Sequence, residues 1–171
     1  YSSKALALNL NSAEFDQTGW VGTVNNSTIA LGSDGSINLN AKNYVCYAFA
    51  EKTGFSKFGL YDGNGTAGSG TFVYTGFKPA FIMVKRTDST GNWNMYNMTL
   101  NKTNKSQFFH NDANTNTQWY DNQDELEVFS NGFRPIGSTK ADTNVNNAKY
   151  IYMVWAEAPL VGSNNVPCTA R

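Results

Sequence analysis

The sequence predicts an all-β protein built from two packed antiparallel sheets. Helical periodicity is almost absent, and the apolar residues fall in short β-branched and aromatic runs bounded by Gly, Pro, Asn and Asp. Aromatic residues make up 14% of the chain and charged residues only 15%. Many short strands without helices between them are typical of two antiparallel sheets that face each other.

The individual strands follow from these runs and from the turns after them. The run Thr28–Leu31 precedes Asp34-Gly35, and Leu126–Phe129 precedes Asn131-Gly132, so each of these strands is predicted to enter a tight turn. Ser2–Leu10 is the one candidate for a short helix, and a non-helical conformation is favoured there. The other predicted strands are Tyr44–Ala50, Phe72–Thr75, Phe81–Arg86, Trp93–Tyr96 and Tyr150–Trp155, with residues 86–93 forming a hairpin loop.

Tyr44–Ala50 is predicted to be a buried strand because both of its faces are apolar. Val45, Tyr47 and Phe49 alternate with smaller or aromatic neighbours, a pattern that indicates cover on both sides. Cys46 is therefore expected to be a buried free thiol. A disulfide between Cys46 and Cys168, or a metal site, is disfavoured because no CxxC or Cys/His spacing accompanies either cysteine.

A weak internal repeat suggests the domain organisation. Residues 44–51 align with residues 150–157, with an identical Tyr at the start and an identical Ala-Glu at the end. We expect one β-domain over residues 1–158 and a C-terminal tail over 159–171. Residues 1–51 are then either the second half of a preceding repeat, with further chain before Tyr1, or simply strands of the same domain.

Length and charge exclude several classes of function. The 171 residues suffice for one domain, and 13 basic residues balance 13 acidic ones. Without net positive charge, neither nucleic acid nor an anionic membrane surface is an expected partner. No apolar run approaches the roughly 20 residues of a membrane-spanning helix.

Residues 44–66 and 70–93 carry a family resemblance. Together with Ser130–Phe133 and the final strand, they resemble a domain found in virion proteins of tailed bacteriophages, notably marine and cyanobacterial phages. That domain often lies near the C-terminus of tail fibres and other virion-surface proteins. The resemblance implies a lectin-like jelly-roll sandwich of the concanavalin type. It also implies a location on the virion surface, in the tail or the head, and no transferable catalytic set.

Exposed aromatic residues are the candidate ligand-binding site. Trp119, Tyr120, Asp121 and Asn122 combine rings that stack on sugars with groups that bond to hydroxyls, and Trp93 lies in a similar polar stretch. A host-surface glycan is the ligand expected for such a site. The alternative is that these rings belong to the core and present only their polar tips at its rim.

The glycine-rich loop of residues 61–70 is the candidate metal site. Asp62 and Asn64 supply hard oxygen ligands of the kind that Ca²⁺ prefers, but a single carboxylate is few for that ion. A tight glycine turn that links the two sheets explains the same residues. No other cofactor is expected.

An enzyme is disfavoured. His110 is the only histidine and no GxSxG motif accompanies it. Glu51 and Glu157 end the two aligned segments and could form a glycosidase pair, but a structural role is favoured. The sequence thus predicts a non-enzymatic virion surface protein, a homo-oligomer that contacts other virion proteins and a host glycan. A decoration or cement protein that acts only through protein contacts, and a glycan-cleaving enzyme, are the alternatives.

Overall fold

The fold was analysed in a computed structural model. It describes residues 4–101, 103–106, 110–116, 118–119, 124–137, 143–157, 160–161 and 167–168. Strands dominate, so the all-β prediction is confirmed; the described residues form one four-residue α-helix and one three-residue 3-10 helix. None of the described helices is long and apolar enough to cross a membrane. The chain divides into a smaller unit, residues 1–6 and 14–49, and a larger unit, residues 7–13 and 50–171.

The smaller unit consists of two short antiparallel ribbons and one helical turn. Its elements are β1 (Lys4–Ala5), β2 (Phe15–Asp16), β3 (Val21–Val24), β4 (Ile29–Leu31) and α1 (Gly35–Asn38). β1 pairs with β2, and β3 pairs with β4. None of its described residues is buried. The two ribbons therefore carry their apolar side chains without a core of their own.

The end of β4 corrects one turn prediction. Asp34-Gly35 does not form a tight turn, because the Asp34 carboxylate accepts a hydrogen bond from the Ser36 N–H at 2.8 Å and caps α1. The same bond holds the pKa of Asp34 below its usual range. The strand prediction for Thr28–Leu31 is confirmed by β4.

The larger unit contains two main antiparallel sheets. A six-stranded sheet has the order β10-β9-β8-β7-β13-β5, and a three-stranded sheet has the order β11-β12-β6. β14 and β15 form a separate pair. The strands are β5 (Ser56–Asp62), β6 (Val73–Tyr74), β7 (Pro79–Arg86), β8 (Trp93–Asn97), β9 (His110–Asp112), β10 (Gln118–Trp119), β11 (Leu126–Phe129), β12 (Gly132–Pro135), β13 (Lys149–Ala156), β14 (Leu160–Val161) and β15 (Pro167–Cys168).

Both predicted hairpins of this unit are confirmed. β7 pairs with β8 from Phe81↔Asn97 to Lys85↔Trp93, so the polar residues between them form the hairpin loop. β11 pairs with β12 from Leu126↔Pro135 to Phe129↔Gly132 across the Ser130-Asn131 turn. In each case a polar, turn-forming stretch separates two apolar runs, which is the arrangement that the sequence pattern predicts.

Aromatic rings from the two main sheets pack against one another. Tyr61 of β5 stacks on Tyr150 of β13 with ring centroids 4.9 Å apart. Phe133 of the three-stranded sheet meets Tyr61 edge-on at 6.2 Å and Tyr152 at 5.7 Å. All four rings are buried in one cluster that draws side chains from both sheets. One continuous core therefore lies between the sheets.

β13 confirms the strand predicted over Tyr150–Trp155 and packs apolar side chains on both of its faces. It lies inside the six-stranded sheet between β7 and β5. Tyr150, Tyr152 and Val154 point into the core. On the opposite face Trp155 contacts Phe58 and Phe81, with centroids 5.4 and 5.7 Å away.

The strand prediction for Tyr44–Ala50 is wrong. This segment belongs to no strand and is exposed along its whole length, although it aligns with the central strand β13. The difference is one of sheet pairing: β13 pairs with a strand on each side, whereas residues 44–50 belong to none of the sheets. Cys46 is accordingly an exposed free thiol and not a buried one. Whether residues 1–51 belong to a preceding repeat stays a prediction.

Replacing Phe133 tests the inter-sheet core. Phe133→Ala is expected to lower the free energy of unfolding by about 3–5 kcal/mol, because it removes the ring that joins Tyr61 to Tyr152. Phe129→Ala is the matched control, since Phe129 is half-buried and packs against Phe72; its expected cost is about 1–2 kcal/mol. Urea denaturation monitored by tryptophan fluorescence measures the unfolding free energy of both variants. Equal losses would contradict the central role of Phe133 in the core.

Alkaline pH is expected to destabilise the fold through Tyr61. Burial raises the pKa of Tyr61 well above its ordinary value, and the neighbouring Tyr150 adds to the shift. Below about pH 10 the phenol is protonated in both the folded and the unfolded chain, so its contribution is constant. Above that pH only the unfolded chain ionises readily, so stability falls as pH rises. Urea denaturation at pH 8 and above pH 10 measures the loss of unfolding free energy. Tyr61→Phe is expected to reduce the pH dependence of stability. An unchanged dependence in this variant would contradict the role given to Tyr61.

Candidate interaction surface

Residues 44–50 form an exposed apolar segment that we call the apolar strap. Val45, Tyr47 and Phe49 are 79%, 81% and 62% exposed. Large apolar side chains scattered singly on a surface are ordinary, but here three lie within five consecutive residues and concentrate exposed apolar area in one segment. Such patches are typical of surfaces that contact another macromolecule.

The strap is anchored at its first residue within the smaller unit. The Tyr44 hydroxyl donates to the Gly35 carbonyl at 2.8 Å and accepts from the Leu39 N–H at 3.1 Å. Both partners lie at the two ends of α1. The helical turn thus fixes where the strap begins, while the side chains that follow Tyr44 face outward.

A tight turn follows the strap in the larger unit. Lys52 and Ser56 exchange two backbone hydrogen bonds, at 3.1 and 2.9 Å, and the Ser56 hydroxyl donates to the Ala50 carbonyl at 2.9 Å. Gly54 occupies the left-handed region at φ 71°, which a side chain would disfavour. This turn fixes where the strap ends.

Glu51 has a structural contact of the kind that the sequence favoured. Its Oε1 accepts the Phe58 N–H at 3.2 Å, on the edge of β5 that faces away from β13. A carboxylate at a sheet edge occupies a donor that would otherwise be open to another strand. Burial, and secondarily the charge of Glu51, raise the pKa of Tyr152. Glu157 is exposed at the end of β13.

The predicted metal ligands Asp62 and Asn64 are both engaged in protein contacts. The Asp62 carboxylate pairs with Lys149 at 2.7 Å. Asn64 Oδ1 accepts hydrogen bonds from the Thr66 N–H at 2.9 Å and from the Asn144 side chain at 3.2 Å. Among the described residues no group of three or more His, Cys, Asp or Glu could hold a metal ion. A Ca²⁺ site here stays a prediction.

The loop around Asn64 instead links the two sheets. It runs from β5 of the six-stranded sheet to β6 of the three-stranded sheet, as the glycine-turn alternative requires. Gly63 is needed for close approach, because a Cβ there would lie 2.2 Å from the Val145 carbonyl oxygen. Asn144 bonds to this loop three times and is buried.

The expectation that Trp93 is exposed is wrong. Trp93 is only 5% exposed, and its indole Nε1 donates to the Ala7 carbonyl at 2.9 Å. The ring therefore has no open face on which a sugar could stack. This is the alternative in which an aromatic ring belongs to the interior and bonds through its polar tip.

The other predicted ligand-binding residues are only partly described. Trp119 is the last residue of β10, an edge strand of the six-stranded sheet, and pairs with His110 in β9. The side chains of Trp119 and His110 lie outside the described part of the structure, as do Tyr120, Asp121 and Asn122 entirely. Glycan contact by this group stays a prediction.

Sequence reasoning missed two buried polar contacts. The Tyr96 hydroxyl donates to Glu125 Oε2 at 2.6 Å, and the Asn92 amide donates to Asp112 Oδ2 at 2.9 Å. Glu125 and Asp112 are both buried. Their sequence neighbourhoods are polar and predict a solvated loop, so only the fold reveals that these carboxylates tie strands and loops together.

Comparison with protein families identifies the family to which this chain belongs. Residues 1–159 match the family described as Domain of unknown function (DUF7483), and the chain belongs to that family. Neither the curated proteins nor the solved structures provide a match. The family assignment spans both units but carries no activity with it.

Asn144 provides a test of the loop network. Asn144→Ala removes an acceptor for the Asn64 N–H and a donor to Thr66, so it is expected to cost about 1–3 kcal/mol of unfolding free energy. The neighbouring Asn146 is exposed, and Asn146→Ala is expected to change stability by less than about 0.5 kcal/mol. Chemical denaturation measures the unfolding free energy of the two variants. Equal losses in both would contradict a stabilising role for the hydrogen bonds of Asn144.

Proposed function

We propose that this chain is a non-enzymatic structural module of a bacteriophage virion that acts through protein–protein contacts. The observation that carries the proposal is the exposed apolar strap, in which Tyr47 is 81% exposed. The resemblance of residues 44–157 to phage virion domains is the reason for proposing a virion as the location. Of the functions considered from the sequence, the decoration or cement role agrees best with this surface.

The scaffold is proposed to be a jelly-roll sandwich. Two features support this: the two main sheets share one core, and the chain repeatedly passes from one sheet to the other. It does so between β5 and β6, between β6 and β7, between β10 and β11, and between β12 and β13. A rigid double sheet of this kind presents its connecting segments outward, where recognition is usually located.

The contact of Glu51, one of the two candidate carboxylates, favours a structural role over glycan cleavage. Glu51 bonds to the backbone of β5, and Glu125 bonds to the Tyr96 hydroxyl in the interior. Both groups contribute to holding the sheets. Glycosidase chemistry would need two carboxylates facing each other across a cleft that admits a sugar.

Peptide mapping of particles tests the proposal. Virions are purified from the phage whose genome encodes the chain, washed with high salt to remove adsorbed protein, and analysed by quantitative mass spectrometry. We expect peptides of this sequence at a fixed ratio to the major capsid or tail proteins. Their presence in infected cells but not in washed particles would contradict a virion role.

Activity assays on host polysaccharide test the enzymatic alternative. The intact chain is expected to release no oligosaccharide, because Glu51, one of the two candidate carboxylates, is engaged in a bond to the backbone of β5. Cleavage that is lost in Glu51→Gln or Glu157→Gln would overturn the non-enzymatic assignment. Glycan binding without cleavage that is lost in Trp119→Ala would instead favour a host-recognition role.

A further inference from the structure

Three aromatic side chains lie together on the outer face of the three-stranded sheet. Phe72 and Tyr74 are 46% and 60% exposed, whereas Val73 between them is buried, so both rings lie on the face that points away from the core. Phe129 of β11 is half-buried and meets Phe72 edge-on, with ring centroids 5.6 Å apart. We call Phe72, Tyr74 and Phe129 the ring platform. It presents aromatic surface to solvent within the larger unit.

The backbone fixes the position of the ring platform. Gly132 of β12 pairs with Tyr74 on one side and with Phe129 on the other, so these residues form one row across the sheet. A Cβ at Gly132 would lie 2.8 Å from the Phe72 ring, so a side chain there would displace that ring. The two N–H groups that follow Tyr74 donate to the Asn131 carbonyl, at 2.9 and 3.1 Å. A surface that the fold holds in place costs less to order when a ligand binds.

Two cations lie against the ring platform. The Lys57 ammonium is 5.9 Å from the centre of the Tyr74 ring, and the Arg134 guanidinium is 5.2 Å from the centre of the Phe129 ring. Arg134 also pairs with the Glu127 carboxylate at 2.8 Å. The described residues form no ion pair with Lys57, although its side chain is half-buried.

Lys57 is the residue that indicates a ligand. Removing an ammonium group from water is unfavourable unless an anion compensates it. The face of the Tyr74 ring attracts the cation, but it does not neutralise the charge. The ring platform therefore has one positive charge without a matching carboxylate, beside its most exposed ring.

We propose that the ring platform binds a glycan whose sugar rings carry carboxylates, such as a chain of uronic acids. The apolar C–H face of one sugar ring stacks on Tyr74 and Phe72. The carboxylate of the sugar pairs with the Lys57 ammonium. The sugar hydroxyls bond to Arg134 and Glu127, which offer a donor and an acceptor side by side.

Charge favours this ligand over a protein or a nucleic acid. A protein surface would have to cover the charged groups of Lys57, Arg134 and Glu127, and charged residues are depleted at the centre of protein interfaces. A nucleic acid would bring several phosphates to a site with one unmatched cation and a carboxylate beside it. One carboxylate on each sugar ring matches that single cation, and hydroxyls can bond to the ion pair without separating it.

The ring platform shares no residue with the apolar strap or with residues 119–122. This inference therefore goes beyond the proposed function and does not depend on it. A small ligand of this kind is expected to bind one site with a dissociation constant on the order of 1 mM. Several copies of the chain in one particle would increase the strength of attachment.

Calorimetric titration of the intact chain tests the site. The probes are a linear trisaccharide of galacturonic acid and the corresponding neutral trisaccharide of galactose. The acidic trisaccharide is expected to bind at least about tenfold more tightly than the neutral one, because only the acidic one pairs with Lys57. Raising the salt concentration from about 0.05 M to about 0.5 M is expected to reduce this preference, since salt screens the ion pair.

Three variants separate the charge from the ring. Lys57→Gln keeps the length of the side chain but removes its charge, and it is expected to abolish the preference for the acidic trisaccharide. Tyr74→Ala removes the most exposed ring and is expected to weaken the binding of both trisaccharides. Lys42→Gln is the matched control, because it removes the same charge from an exposed lysine outside the ring platform, and it is expected to change neither affinity. Thermal unfolding checks that each variant is folded.

Several results would overturn the proposal. One is the absence of any binding of the acidic trisaccharide at about 10 mM, well above the expected dissociation constant. Another is equal affinity for the acidic and the neutral trisaccharide, or the same effect of Lys57→Gln and Lys42→Gln. Tighter binding of a single-stranded oligonucleotide that Lys57→Gln abolishes would assign the ring platform to nucleic acid instead. Self-association of the chain that Tyr74→Ala abolishes, without sugar binding, would assign it to a second copy.

Discussion

The fold of the larger unit depends on a small group of aromatic rings between two sheets. Tyr61 and Tyr150 stack in adjacent strands of the six-stranded sheet, and Phe133 of the three-stranded sheet contacts Tyr61. Without that contact each sheet would expose an apolar face to water. Because the rings come from strands far apart in sequence, they also fix which strands are neighbours. The Tyr61 hydroxyl donates to the Thr143 carbonyl at 2.8 Å, and the Tyr150 hydroxyl accepts from the Val145 N–H at 2.9 Å, so both phenol oxygens of the stack are satisfied.

Sequence patterns located β6, β7, β8, β11 and β13 of the larger unit but not β5, and the reason for the successes is local. β7, β11 and β13 are short apolar runs beside turn-forming residues, and those features act within a few residues of each other. Tyr44–Ala50 has the same local pattern and yet forms no strand. Strand formation needs a neighbour, and the presence of a neighbour depends on the whole topology, which one segment cannot reveal. The error is informative, because it identifies an exposed segment that has the sequence pattern of a strand.

The surroundings of the candidate site residues were predictable only in part, because they too depend on contacts between distant segments. Asp62 and Asn64 belong to a glycine-rich loop, and sequence could assign that loop either to a metal ion or to a turn between sheets. Its partners Lys149 and Asn144 lie about eighty residues further along the chain. Trp93 was misjudged because its polar neighbours suggested exposure, while Ala7, distant in sequence, bonds to its indole. Contacts between distant segments therefore determine the surroundings of Asp62, Asn64 and Trp93.

The central claim is that the apolar strap, open in the single chain, is covered by protein when the chain is assembled. Hydrogen–deuterium exchange at the amides of residues 45–49 measures this directly. The account predicts rapid exchange in the dilute isolated chain and slow exchange in purified particles, with β13 slow in both because it lies inside a sheet. Equally rapid exchange of the strap in both samples would contradict the claim.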